Sequence, residues 1–132
     1  MSWTKPSIVG NKRNIAVATE TYTLPASATT EYSSAIDFVG PNLDNNNRWV
    51  AFGFNASAVS GTNLDIGLYV AATEAGTKTL VKDAVVADIT ATGKATGLVD
   101  LNAYPGAFYF LGWTSDADES ANTIAVEVVA AV

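Results

Sequence analysis

Three carboxylates stand close together near the C-terminal end of the chain, at Asp116, Asp118 and Glu119. A calcium ion needs several oxygen ligands, and one short acidic loop can supply many of them. This segment lacks the glycine at the sixth loop position and the distal glutamate of a complete EF-hand loop. The pattern therefore favours a solvated hairpin tip, with calcium binding as the alternative.

A second polar loop, Asp44-Asn45-Asn46-Asn47, combines one carboxylate with three amides. These groups could coordinate a cation or hydrogen-bond a sugar. Asparagine also makes turns without any ligand, because its side chain tolerates left-handed backbone. A turn is the favoured interpretation of this loop, and a binding loop is the alternative.

The composition excludes the catalytic arrangements that depend on histidine or cysteine. The 132 residues contain no His and no Cys, so neither a Ser-His-Asp nor a Cys-His arrangement can be assembled. Glycoside hydrolysis would instead need two carboxyl groups at a set separation in a cleft. Spacing singles out no pair among the carboxylates on or near the predicted strands, which are Asp65, Asp83, Asp88, Asp100 and Glu127. The sequence therefore predicts a protein that is not an enzyme, with no catalytic residue, no metal and no cofactor.

Three tryptophans are the most informative large side chains. Trp49 alternates with the small residues Ala51 and Gly53, and a large ring beside small neighbours can serve as a platform for a partner or a sugar. The alternative is that the second sheet or a loop covers Trp49. Trp3 precedes the first predicted strand, where it has no core to join, so we expect it to dock on another chain. Trp113 lies in an apolar strand and is expected in the core.

The charge is divided between a basic N-terminal segment and an acidic remainder. The net charge is −6, yet Lys5, Lys12 and Arg13 fall within the first thirteen residues, which hold no acidic residue. An acidic domain repels phosphate backbones, so nucleic acid is not an expected partner. No segment approaches the roughly 18–20 apolar residues of a membrane helix. The N-terminus also lacks the apolar core of a secretory signal, which predicts synthesis in the cytosol or prior processing.

Period-two alternation of apolar and polar residues recurs along the chain and is typical of β-strands. It predicts one all-β domain over residues 14–132, a jelly-roll-like antiparallel β-sandwich of about eight strands, preceded by an extended N-terminal arm over residues 1–13. The predicted strands are 14–24, 32–39, 48–58, 64–72, 80–91, 98–101, 107–114 and 123–130, where 80–91 is weak and 98–101 is short.

Some predictions concern how these strands are arranged. Strands 48–58 and 64–72 are separated by a short glycine-containing turn, which predicts a hairpin. Residues 92–97 read as a loop. Strand 107–114 is apolar on both faces and is placed centrally. Strand 123–130 is also expected to be central, or paired across a subunit boundary, since an exposed apolar edge would promote self-association.

The segments SGTNLDIGLYVAA (60–72) and GAFYFLGWTSDADES (106–120), followed by an apolar last strand, resemble small virion proteins of tailed bacteriophages. The family is that of head decoration or cement proteins and related jelly-roll structural proteins. The resemblance implies a compact β-fold on the outside of an icosahedral head, often trimeric, tied to the major capsid protein by an extended terminal segment. By this resemblance Trp3, Lys5 and Pro6 lie on the capsid.

The leading hypothesis is therefore a capsid decoration protein, made in the host cytoplasm and located on the virion surface. Its partner is the major capsid protein, and a homo-oligomer is expected, with a trimer favoured. Binding to the intact head would stabilise it by mass action, and many copies would add avidity on the order of 10²–10⁴. The predicted partner-binding residues are Trp3, Lys5, Pro6, Lys12, Arg13 and Trp49.

Two alternatives remain open. A carbohydrate-binding module or a receptor-binding fibre-tip domain would use Trp49, Tyr69 and the loop Asn45–Asn47, since sugars bind by aromatic stacking and hydrogen bonds to polar side chains. A tail, neck or minor fibre component is the third hypothesis, and the sequence does not separate it from the first.

Overall fold

The computed structural model describes residues 7–9, 15–27, 29–36, 49–62, 64–85, 89, 93–104 and 106–131. For residues 7–9, 15–17, 49, 93–94, 102 and 130–131 it describes the backbone alone. Over these ranges the chain forms β-strands and one short 3-10 turn, Leu101–Ala103. No helix within them is long and apolar enough to cross a membrane.

The strands are β1 (Ser7–Val9), β2 (Ile15–Thr23), β3 (Thr30–Tyr32), β4 (Trp49–Ala56), β5 (Leu64–Ala71), β6 (Thr79–Lys82), β7 (Gly93–Asp100), β8 (Phe108–Ser115) and β9 (Thr123–Ala131).

Two antiparallel sheets contain these strands. One has the order β1-β2-β9-β4-β7 and the other the order β3-β8-β5-β6. From β2 to β9 this is the strand order of a jelly roll, in which most connections cross from one sheet to the other. The predicted all-β, jelly-roll-like sandwich is confirmed. The central placements of β8 and β9 are confirmed too, because each has a paired strand on both sides.

The core lies between the sheets and is built from alternate residues of each strand. On β4, Val50, Phe52 and Phe54 are buried, as the alternation predicts. Trp113 of β8 is 0% exposed, which confirms its placement in the core, and its ring meets that of Tyr22 at 4.9 Å between centroids. Burying each such side chain stabilises the fold by about 1.5–3 kcal/mol.

The predicted N-terminal arm is described only in part. Ser7–Val9 form β1, an edge strand that pairs with β2 in the register Ser7↔Val17. The other residues of 1–13 lie outside the described residues.

The predicted hairpin between strands 48–58 and 64–72 is wrong. β4 lies in the five-stranded sheet between β9 and β7, whereas β5 lies in the four-stranded sheet between β8 and β6. The segment between them therefore crosses from one sheet to the other. Alternation shows which face of a strand is buried, but both sheets of a sandwich bury one face, so it does not reveal which strands are partners.

Residues 92–97 were expected to form a loop, and this is also wrong. From Gly93 onward they belong to β7, which pairs with β4 through Gly97↔Phe52 and Thr96↔Gly53. β7 is an edge strand, and pairing with a long neighbour outweighs the weak strand preference of its glycines.

The second predicted strand, 32–39, corresponds to β3, which begins at Thr30, earlier than expected, and its side chains do not alternate as predicted. β3 ends at Tyr32, and residues 33–36 then follow β8 through hydrogen bonds from Ser33 N–H to Leu111 O and from Ile36 N–H to Tyr109 O, both 2.8 Å. Tyr32 is exposed and Ile36 is buried, although alternation places them on one face. Residues 37–39 lie outside the described residues.

Candidate functional site

Two tyrosines meet on the outer face of the four-stranded sheet. Tyr32 of β3 and Tyr69 of β5 flank β8, and their rings contact edge to face with centroids 5.0 Å apart at 90°. Both rings lie over Gly112 of β8. A Cβ atom there would overlap the Tyr69 ring and come within 3.2 Å of Tyr32, so a glycine allows the rings to rest against the sheet.

Lys78 stabilises this arrangement from the side. Its Nζ lies 4.4 Å from the centroid of the Phe110 ring and 5.2 Å from that of the Tyr32 ring. A cation over an aromatic face contributes about 0.5–1 kcal/mol at an exposed site. Phe110 is itself buried in a small cluster with Ala35 and Ala71. We call Tyr32, Tyr69, Lys78, Phe110 and Gly112 the tyrosine surface.

A depression of about 400 Å³ adjoins the tyrosine surface. Burial raises the pKa of the Tyr69 hydroxyl, and the nearby Tyr32 and Asp83 raise it further, so Tyr69 is a neutral phenol at physiological pH. An apolar ring therefore stands beside carboxylates and hydroxyls that can form hydrogen bonds. The depression is lined by Asp65, Gly67, Tyr69, Leu80, Asp83, Ala84, Gly112 and Thr114.

The acidic loop between β8 and β9 has a structural role. Glu119 is 0% exposed, and its carboxylate accepts hydrogen bonds from the backbone N–H groups of Ser60 (2.7 Å) and Gly61 (3.1 Å). It also accepts from the Ser115 hydroxyl and the Asn122 amide, both at 2.8 Å. Burial raises the pKa of the Glu119 carboxyl, but these four donors outweigh that effect and lower the pKa to about 2. Glu119 therefore fastens the β8–β9 loop to the β4–β5 connection.

Asp116 adds to the same attachment. Its carboxylate accepts from the Thr62 N–H at 3.1 Å and from the Thr62 hydroxyl. Asp116 and Asp118 are exposed, as the solvated-tip interpretation expects, but that interpretation is wrong for Glu119. Within the ranges that the structure covers, no group of three or more His, Cys, Asp or Glu residues is arranged to hold a metal ion.

The outer face of the five-stranded sheet is lined mostly by small side chains. Two adjoining depressions of about 520 and 460 Å³ share Gly53, Thr96 and Glu127. Together the two depressions form a trough across the sheet. Leu98 is 62% exposed at one end of it. Ala51 pairs with Leu98 on one side and with Val129 on the other. This face is apolar at that end and polar elsewhere.

Of the residues predicted to bind a partner, Trp3, Lys5, Pro6, Lys12 and Arg13 lie outside the described residues, as does the loop 44–47. Trp49 begins β4, where its backbone pairs with Asp100, but its side chain is not described. Their roles stay predictions. Asp65 and Asp83, which sequence spacing did not single out as a pair, both line the depression beside Tyr69.

Sequence reasoning named Tyr69 as a candidate sugar contact but missed the rest of the tyrosine surface. Tyr32 was missed because alternation placed it on the same face as Ile36, whereas Tyr32 is exposed and Ile36 is buried. Gly112 and Lys78 come from other strands and loops, and cross-strand neighbours cannot be read from local spacing. The available signal was a glycine interrupting an otherwise aromatic strand, which often marks a close approach.

No protein-family model and no curated protein sequence matches this chain. A structure of the N-terminal CBM22-1–GH10 modules of Clostridium thermocellum endo-1,4-β-D-xylanase 10B with xylohexaose aligns with a TM-score of 0.52 and 14% identity, covering 98% of this chain and 26% of that chain. The CBM22-1 xylan-binding domain of Paenibacillus barcinonensis Xyn10C aligns with a TM-score of 0.50 and 13% identity, covering 99% and 86%. This chain thus spans about a quarter of the first structure. At these identities the likeness shows the β-sandwich fold alone.

Proposed function

We propose that this chain is a non-catalytic binding module that recognises carbohydrate through the tyrosine surface. The observation that carries the proposal is the Tyr32–Tyr69 pair, held over Gly112 beside a depression lined by carboxylates and a threonine hydroxyl.

The chemistry of this surface matches that of a sugar. A pyranose ring has an apolar C–H face that stacks on an aromatic ring, and hydroxyl groups that exchange hydrogen bonds with polar side chains. Tyr32 is 38% exposed, so its ring is accessible. Its edge contact with Tyr69 and the cation of Lys78 fix its orientation, which reduces the entropy lost on binding.

Two solved structures that share the fold guide the choice of ligand. One of the structures that share the fold is a xylan-binding domain, and the other is a complex with xylohexaose. Oligoxylosides are therefore sensible first ligands to test, together with neutral oligosaccharides of other linkages.

The test is calorimetric titration of the protein with a panel of oligosaccharides. For a sugar that binds, Tyr69→Ala should weaken the affinity about tenfold or more, which corresponds to about 1.4 kcal/mol. Leu98→Ala is the matched control, because it truncates an exposed side chain on the opposite sheet and should leave the affinity unchanged. Absence of binding across the panel, or equal affinities of Tyr69→Ala and the wild type, would contradict the proposal.

A capsid decoration protein is the second candidate, and the outer face of the five-stranded sheet favours it. Leu98 is largely exposed beside Ala51 and Val129, and an exposed apolar patch suits a protein partner. β1, which belongs to the predicted capsid-binding arm, extends the same sheet.

Co-sedimentation with phage heads tests this candidate. Leu98→Glu and deletion of residues 1–6, which spares β1, should each abolish binding to heads, whereas Tyr69→Ala should not. Native mass spectrometry of the free protein tests the expected trimer. Head binding that survives both changes would remove the roles of the arm and of this face.

A further inference from the structure

Over the described ranges the two sheets end in four edge strands, and three of these are poorly suited to pair with another chain. β1 and β3 have three residues each, and β6 has four. The ladder between β6 and β5 also shifts its register between Leu68 and Tyr69 of β5. Short edge strands and irregular ladders are means by which proteins keep a sheet from growing onto another chain.

β7 is the fourth edge strand, and it is both long and regular. It has eight residues, none of them proline, and its register against β4 runs unbroken from Gly93↔Ala56 to Asp100↔Trp49. Outside that ladder, no backbone hydrogen bond between described residues joins β7 to another segment. The outer edge of β7 therefore offers backbone donors and acceptors to a further strand.

The side chains of β7 indicate which strand would fit this edge. Thr96 and Leu98 are exposed on the outer face of the sheet, whereas Val99 is buried on the inner face. Directly opposed residues of an antiparallel pair share a face, so a fitting strand must place its own outer residues opposite Thr96 and Leu98. A second copy of β7, paired antiparallel about Gly97, does this, because Thr96 of each copy then lies opposite Leu98 of the other.

The two charged residues of β7 favour this register. When the two strands are centred on Gly97, Lys94 of each copy lies opposite Asp100 of the other, so opposite charges are paired twice. Moving the centre by one residue in either direction would place Lys94 opposite Leu98, or Asp100 opposite Thr96. Charged residues on an edge strand usually discourage pairing with another chain, but here a second copy neutralises both.

We propose that β7 is a self-association edge, through which two copies of this chain join their five-stranded sheets into one. The two Leu98 side chains then lie in diagonally neighbouring positions, which removes part of their exposed apolar surface from water. A two-fold contact of this kind closes on itself. It therefore gives a dimer, in place of the trimer expected with the capsid hypothesis, and it does not depend on carbohydrate binding.

Analytical ultracentrifugation of the full chain tests the role of the charges. The wild type should form a dimer, and Lys94→Glu should raise its dissociation constant about tenfold or more, because two attractive pairs become two repulsive ones. The double variant Lys94→Glu/Asp100→Lys keeps the net charge of the wild type and should restore the dimer. An equimolar mixture of Lys94→Glu and Asp100→Lys should also dimerise more tightly than either variant alone.

Disulfide cross-linking tests the register without changing either charged residue. The sequence contains no Cys, so introduced cysteines have no competitor. Oxidation of a mixture of Thr96→Cys and Leu98→Cys should give the mixed disulfide, identified by its mass, because these positions are directly opposed. Each variant oxidised alone is the control, since identical positions are then diagonal, about 7–8 Å apart and too distant for a disulfide without backbone movement.

The possible results decide the proposal. A wild type that stays monomeric at millimolar concentration, or that forms a trimer, would overturn it. A dimer that Lys94→Glu leaves intact would also overturn it, because another surface would then hold the two copies together. If far-ultraviolet circular dichroism shows that Asp100→Lys does not fold, the cysteine variants decide alone, and equal cross-linking of the mixture and the single variants would contradict the pairing about Gly97.

Discussion

At the scale of single residues, Glu119 and Gly112 make contacts that their neighbours in sequence do not suggest. Glu119 gives up exposure to bind four donors, two of them backbone N–H groups of the β4–β5 connection. Gly112 has no Cβ atom, and two tyrosine rings occupy the space that a side chain would fill. Both effects are local, and both can be tested by a change of a few atoms.

Glu119→Gln should lower the free energy of unfolding by about 2–4 kcal/mol at pH 7. The glutamine amide group would face the Ser60 or Gly61 N–H, so one buried donor would lose its acceptor and meet another donor. Urea unfolding followed by tryptophan fluorescence measures the change. Glu127→Gln, on an exposed side chain, is the control and should change it by less than about 0.5 kcal/mol.

The same variant should alter how stability depends on pH. The folded-state pKa of Glu119, about 2, lies below its ordinary value of 4.5. Its stabilising contribution is therefore complete above pH 4.5 and is lost as the pH falls towards 2. Unfolding measured at several pH values should show a steeper decline for the wild type than for Glu119→Gln in this window. Parallel curves would contradict the role assigned to the carboxylate.

Gly112→Ala should displace the tyrosine rings and weaken sugar binding. A methyl group there would overlap Tyr69, so this ring would have to leave its present position against Tyr32. Gly53→Ala is a matched control, since its Cβ would meet Glu127 Cβ at an ordinary 3.8 Å. Near-ultraviolet circular dichroism should change for Gly112→Ala and not for Gly53→Ala. Identical tyrosine signals in both variants would argue against a ring-supporting role for Gly112.

At the scale of elements, the hydrophobic alternation of the sequence was sufficient to locate five of the long strands, β2, β4, β5, β8 and β9, but not the equally long β7. Val50, Phe52 and Phe54 point inward as predicted. Pairing was not predictable in this way, because an apolar face is satisfied by any partner that completes the core. Only residues 98–100 of β7 fell within a predicted strand, 98–101, because the glycines before them suggest a turn and only pairing with the distant β4 makes them a strand.

Position within the sheets should determine how long the backbone amides resist exchange. β8 and β9 are paired on both sides, whereas β3 and β6 are short edge strands. Opening a central strand breaks two ladders, so hydrogen–deuterium exchange should be slowest in β8 and β9 and fastest in β3 and β6. Protection of β3 equal to that of β8 would point to an additional partner covering this edge.

At the scale of the whole molecule, the two outer faces differ in chemistry, and this difference underlies the two candidate functions. One face carries paired tyrosines with a lysine, and the other an exposed leucine at the end of a trough of small residues. The absence of His and Cys favoured the prediction of a protein that acts through its sheet faces, and that prediction stays a hypothesis. The sequence could not predict which residues of a face meet, because they come from strands distant in sequence.

Removing residues 123–132 should abolish folding of the entire domain. β9 contributes Ile124, Val126 and Val128 to the core and separates β2 from β4 in the five-stranded sheet. Its loss would expose the core and leave β2 and β4 each without the strand that pairs with them here. Far-ultraviolet circular dichroism should show an unordered chain, whereas deletion of residues 1–6 should leave a folded one. A truncated protein that still unfolds cooperatively would contradict this view of the sheet.

The pairing of β2 with β9 also has a consequence for biosynthesis. Ile15 lies opposite Ala131, so nearly the full length of the described chain separates two residues that face each other. A ribosome must therefore release the segment through residue 131 before this ladder can close, and until then the apolar faces of the earlier strands stay unprotected. Nascent chains of this protein are accordingly expected to depend on chaperones that shield such segments during translation.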